Sequence, residues 1–162
     1  MAGNIFWKEQ SIVILTSAGG ALVNNGGGIA NATVSLDCRT GGNAAENFTA
    51  GFELSALQWG TITGIAAGTI VAELYLVPTL DGTNAPNVTI ANASTDYISY
   101  NHLVGRFTNA VVTPVINTSY RLDVVNVDLQ PFLYVPYLIN RSGQTFTANW
   151  TLKFVSAQVQ YT

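Results

Sequence analysis

The chain has one histidine, His102, and one cysteine, Cys38. Neither can build a metal centre or a nucleophile–base pair alone, because zinc sites gather several such ligands and a thiol nucleophile needs a base beside it. His102 lies in YISYNHLVG close to Tyr97 and Tyr100, the setting of a packed or hydrogen-bonded strand residue. Cys38, in SLDCRT, reads as a small buried hydrophobe, and a single cysteine forms no internal disulfide. The stretch GGALVNNGGG lacks the Gly-Lys-Ser/Thr ending of a phosphate loop, and its glycines read as a loose connection. Glu53 and Glu73 are the two glutamates on predicted strands, and a pair of carboxylates is what glycoside hydrolysis requires. Each falls where an alternating strand places an outward or inter-subunit polar residue. No catalytic residue is therefore assigned, no cofactor or metal is expected, and the chain reads as a non-enzyme.

One loop could hold a ligand. In LYLVPTLDGTNAPN (74–87) an alternating strand stops at Pro78, and Asp81, Gly82, Asn84 and Asn87 follow. Calcium takes roughly six to eight oxygens, several of them carboxylate. With one carboxylate the loop reads as a turn in which Asp81 and Asn84 bond their own backbone and Gly82 takes the bend. The alternative is a sugar platform. Trp59, Tyr97, Tyr100 and His102 would stack on a saccharide while Asp81 and Asn84 bond its hydroxyls. Seven Asn-x-Ser/Thr triplets begin at Asn31, Asn47, Asn87, Asn92, Asn117, Asn140 and Asn149. Several fall inside predicted strands, so they read as by-products of an Asn- and Thr-rich surface rather than as glycan acceptors.

Composition says what such elements must do. At 162 residues the chain can bury a single-domain core without staples. The net charge is −3, and six Lys and Arg are spread along the sequence. No basic patch exists to release phosphate counterions, so nucleic acid is not an expected partner. No apolar run approaches the ~18 residues of a membrane span, so no membrane is expected either. The N-terminus imitates a signal peptide, but its apolar stretch, Ile12 to Leu15, is shorter than the roughly 7–15 residues of an h-region. Only 9% of residues are charged, where roughly 25% is ordinary. Free monomers rely on interspersed charge to stay apart, whereas interface cores lack it. Much of this surface is expected to lie against other molecules.

The periodicity is that of strands. β-branched and aromatic residues dominate between Gly, Asn and Pro clusters, which predicts eight strands: Ser11–Thr16, Thr33–Cys38, Ala50–Leu57, Thr69–Val77, Ile98–Phe107, Tyr120–Asp128, Phe132–Asn140 and Thr145–Val155, the last running on towards Tyr161. Phe52 and Leu54 alternate with Glu53 and Ser55; Trp150, Leu152 and Phe154 alternate with Thr151 and Lys153. NRSGQ (140–144) reads as a hairpin loop, and Pro131 and Pro136 mark an edge strand. The expected fold is all-β: one antiparallel β-sandwich domain over 11–162, jelly-roll-like, with residues 1–10 an extended N-terminal arm. Phe6 and Trp7 in that arm, with Tyr134 and Tyr137 as exposed strand aromatics, are the expected interface residues.

ELYLVPTLDGTNAPN, HLVGRF, FLYVPYLINRSGQTF and a closing NWTLKF strand, taken in that order, resemble small structural proteins of tailed-bacteriophage virions. The resemblance runs from Phe48 to Val155 and leaves out the first forty residues. It implies a non-enzymatic β-sandwich on the outer capsid surface, a cement or decoration protein assembled in the host cytoplasm. The implied partners are the major capsid protein and further copies of the chain, as a homodimer or homotrimer. Relatives of this architecture also occur in tail fibres and baseplates, where the sugar- or receptor-binding alternative belongs.

Overall fold

The computed structural model of the chain describes residues 5–9, 12–19, 21–22, 27–29, 36–37, 48–57, 66–81, 103–110, 118–127, 132–147 and 150–161. Among these there is no helix. Ten strands form: β1 (Ile5–Glu9), β2 (Val13–Gly19), β3 (Gly27–Ile29), β4 (Leu36–Asp37), β5 (Phe48–Leu57), β6 (Ile70–Thr79), β7 (Leu103–Thr108), β8 (Thr118–Val127), β9 (Leu133–Asn140) and β10 (Trp150–Tyr161). They make two antiparallel sheets. The first has the order β1-β10-β5-β8, with β2 also on β10; the second has the order β3-β9-β6-β7, with β4 also on β9.

The predicted alternation holds where a strand has one apolar face. In β5 and β10, Phe52, Leu54, Trp150, Leu152 and Phe154 are buried while Glu53, Thr151 and Lys153 are half-exposed; Ser55, expected on the outward face with Glu53, is instead buried. In register, Phe52 faces Phe154 and Leu54 faces Leu152. The two rings meet at 5.2 Å between centroids with a tilt of 51°, the geometry that aromatic quadrupoles favour. These residues share one apolar cluster with Leu36, Leu74, Leu76, Phe107 and Leu138 of the second sheet. A core drawn from the inner faces of two sheets is the mark of a sandwich.

β6 and β9 depart from the predicted alternation. Every residue of β9 is buried, and β6 is buried almost throughout. The inner face, with Leu74, Leu76 and Leu138, joins the main core, while Tyr75, Val77, Tyr137 and Ile139 form a second cluster on the opposite face. Pro136 was expected to mark an edge, yet β9 lies between β6 on one side and β3 with β4 on the other. The register explains the tolerance. β3 ends where Ile29 faces Tyr137, and β4 begins where Leu36 faces Tyr134, so Pro136 falls in the gap between them. Towards β6, Leu76–Pro136 and Pro78–Tyr134 are two residues apart on the ladder. One choice of antiparallel alternation therefore turns both proline nitrogens away from this partner.

Three further expectations are corrected. NRSGQ is not a hairpin loop, because β9 and β10 belong to different sheets; it starts the crossing between them, with Gly143 at φ 79° as the residue free to take the bend. Part of the glycine-rich stretch is a strand, Gly27–Ile29, paired with Tyr137–Ile139. Ile5–Glu9, placed in the extended arm, instead pairs with Ala157–Tyr161 of the same chain. Backbone donors there find partners within the fold, which an arm would leave to a neighbour. The turn before β6 follows the same logic as Gly143. Thr69 N–H donates to the Ala66 carbonyl at 3.2 Å, and Gly68 at φ 82° takes the position that a type II turn reserves for glycine.

Candidate functional site

The outward face of β6 presents Glu73 in an otherwise apolar run, IVAELYLV. The strand pairings bring a cation in from β7, because Glu73 and Arg106 are register partners. The crossing that follows β9 supplies a second, Arg141, whose backbone N–H is fixed on the Val71 carbonyl at 2.9 Å. Arg106 Nε donates to Glu73 Oε1 at 3.0 Å, and Arg141 Nε donates to Oε2 at 2.9 Å. Tyr75, two residues along the same face, donates its hydroxyl to Oε2 at 3.0 Å. The carboxylate is buried, whereas the Arg106 side chain is 47% exposed.

Burial by itself raises the Glu73 pKa. Donation from Arg141, Arg106 and Tyr75, together with the positive charge of Arg141, outweighs burial and holds the group below its ordinary value. Burial also works against the Arg141 guanidinium, but the Glu73 bond and charge more than offset it and raise the Arg141 pKa. Both carboxylate oxygens are therefore engaged and the group stays ionised. Such a carboxylate is neither a general acid, which needs a raised pKa, nor an unencumbered nucleophile. It works as a clamp joining β6, β7 and the crossing.

The crossing has its own polar lock. Asn140 is fully buried. Its Nδ2 donates to the Leu22 carbonyl at 2.9 Å and to the Gln144 carbonyl at 2.6 Å. Its Oδ1 accepts from Ser142 N–H at 2.9 Å and from Ser142 Oγ–H at 2.7 Å. An amide bonded in this way is closed to glycan transfer, which accords with reading its Asn-Arg-Ser triplet as incidental.

Glu53 lies in the first sheet and Glu73 in the second. Glu53 is bonded to Lys153 Nζ at 2.7 Å, its own cross-strand partner. The two glutamates thus form no catalytic pair. Asp81 is exposed just beyond β6 and accepts from the Thr79 hydroxyl at 3.0 Å. Among the described residues no group of three or more His, Cys, Asp and Glu could hold a metal ion. The other members of the sugar platform, Trp59, Asn84, Tyr97, Tyr100 and His102, lie outside the described residues, as does Cys38.

Tyr134 and Tyr137 were expected to be exposed contact aromatics; both are buried. They sit on an interior strand covered on both faces, so parity exposes neither. Phe6 and Trp7 lie in β1, opposite Gln160 and Val159. Among the described residues, the large apolar side chains that reach solvent are Ile12 (63%), Ile14 (51%), Leu80 (89%) and Phe132. Ile12 and Ile14 are at the β2 edge of the first sheet. Leu80 and Phe132 flank the Thr79–Leu133 pair at one end of the second.

The arginine clamp was within reach of sequence reading only in part. A glutamate inside an apolar strand requires a cation, but its partners lie 33 and 68 positions away. Comparison with protein-family models, curated proteins and solved structures gives no match for this chain.

Proposed function

We propose that the chain is a non-enzymatic structural protein of a phage virion, a cement or decoration protein that binds the outer capsid surface and stabilises it. The observation that carries this reading is how the few charges are spent. Three of the six Lys and Arg, namely Arg106, Arg141 and Lys153, are tied to Glu73 and Glu53 within the fold. Ile12, Ile14, Leu80 and Phe132 meanwhile face outward. A surface short of free charge and carrying exposed apolar groups is suited to being covered.

Strand order supports a jelly roll as the underlying topology. β1 and β2 follow one another along the same edge of β10: Glu9 faces Ala157 and Val13 faces Phe154. β3 and β4 likewise share an edge of β9, where Ile29 faces Tyr137 and Leu36 faces Tyr134. Counted as one interrupted strand each, the two pairs reduce the ten strands to eight, in the orders 1-8-3-6 and 2-7-4-5. Those orders are the ones a double Greek key would give, an arrangement common in viral capsid domains.

The test is co-sedimentation of the purified protein with emptied shells of its own phage, read together with the temperature at which those shells rupture. Saturable binding with a raised rupture temperature is expected. A chain that leaves both unchanged is not a cement protein.

A second reading, a sugar- or receptor-binding module of a tail fibre or baseplate, draws on the exposed Asp81 next to Leu80. Jelly rolls also serve as lectins. It predicts saccharide binding that Asp81→Ala abolishes on a host-glycan panel, and a blank panel removes it.

A further inference from the structure

We infer that Arg106 and Arg141, aimed by the buried Glu73 carboxylate, form a receptor for one carboxylate of a protein partner, taken on the Nη donors of Arg106. The inference goes beyond the capsid reading and does not rest on it.

Glu73 gathers more positive charge than it neutralises. Its carboxylate carries one negative charge, and two guanidinium groups donate to it, Arg106 Nε at 3.0 Å and Arg141 Nε at 2.9 Å. The remaining donor, the Tyr75 hydroxyl, is uncharged. Glu73 is held ionised, and arginine does not lose its proton in proteins. The cluster therefore keeps a surplus of one positive charge in a chain whose net charge is −3. That surplus reaches the surface, because the Arg106 side chain is 47% exposed and that of Arg141 33%.

The geometry leaves donors for a ligand. Arg106 spends Nε on Glu73, and among the described residues no acceptor meets its Nη donors. A guanidinium presents such donors as a planar fork, which a carboxylate fits with both oxygens. The fork is fixed before any ligand arrives. Arg106 is the register partner of Glu73 on β7, and the Arg141 backbone is bonded to the Val71 carbonyl. A buried group that sets the direction of a binding side chain lowers the ordering cost of binding.

Charge and exposure select the occupant. One carboxylate cancels the surplus. A phosphate, at roughly −1.5 to −2, would overshoot it and bring like charge towards Glu73. A free carboxylate ion gains little at a fork half in solvent. An Asp or Glu carried on a protein surface displaces that solvent as it docks, and the pair strengthens.

Arginine side-chain NMR of the intact, isotope-labelled chain at neutral pH and constant ionic strength reads the site. Acetate replacing chloride is expected to shift the Arg106 and Arg141 signals saturably. A capped Gly-Asp-Gly peptide should do the same, and its Gly-Asn-Gly counterpart should not. No shift beyond that of chloride overturns the site. A stronger response to inorganic phosphate than to acetate overturns the carboxylate assignment. Acetate acting where the Asp peptide does not overturns the protein partner in favour of a small free anion. Arg106→Lys keeps a cation on Glu73 but has no fork to spare, so it should melt close to wild type and lose the Arg141 response. An undiminished response in that variant overturns the role of Arg106. If the variant fails to fold, the wild-type titrations still decide. No shells enter the experiment, so its failure leaves the cement proposal to its own test.

Discussion

A carboxylate inside an apolar strand must be neutralised or compensated, since an unpaired buried charge is among the costliest features a fold can carry. Glu73 is compensated three times over, by Arg106, Arg141 and Tyr75. Glu73→Gln removes the charge but keeps the shape, and is expected to cost about 2–3 kcal/mol. That is less than a fully buried pair, because Arg106 is half in solvent. A lower urea midpoint at unchanged slope checks it. The pH dependence follows from the direction of the shift. Glu73 titrates lower folded than unfolded, so its stabilisation is complete above the ordinary value of 4.5 and is lost as pH falls through the folded value. Acid unfolding of Glu73→Gln should accordingly be flatter over that window, as followed by tryptophan fluorescence. Gly143 isolates a different cost. A Cβ there meets nothing within 4 Å, so Gly143→Ala probes backbone strain alone at φ 79°. Thermal unfolding should report a loss of about 1–2 kcal/mol. The glycine was legible in NRSGQ. The arginine partners of Glu73 were not, because nothing local in a sequence records which distant strand lies alongside.

Among the elements, β5 and β10 were legible because each has one wet face, and alternation is the trace of a wet face. β6 and β9 lost that trace by being covered on both sides. Tyr134 and Tyr137 were misplaced for that reason, and Pro136 was misjudged because a gap between two short strands excuses it. β3 was hidden by its composition, since GGI carries almost no side chain with a strand preference. The first strand is the most direct to test. If residues 1–10 were an arm reaching a neighbour, deleting them would leave the isolated fold intact. Because Ile5–Glu9 pairs with Ala157–Tyr161, deletion should lower the melting temperature and bare the β10 edge to aggregation. Calorimetry and turbidity read both. An unchanged melting curve would restore the arm.

For the molecule as a whole, the charged fraction of 9% is the quantity from which most else follows. Stability and shell binding that rest on apolar and neutral polar contact should barely respond to ionic strength, because screening acts on charge. Shell binding measured in low and high salt should therefore change less than two- to threefold, where a charge-steered complex weakens by about tenfold or more. A steep loss in salt would point to the free charges instead, and against the burial argument.

The pairing of β1 with β10 also governs when the protein can exist. β10 lies between β1 with β2 on one side and β5 on the other. A nascent chain still on the ribosome has therefore made four strands of the first sheet, β1, β2, β5 and β8, before β10, which pairs with three of them, is translated. Until then those strands hold open edges, so completion of the first sheet waits for translation to finish β10.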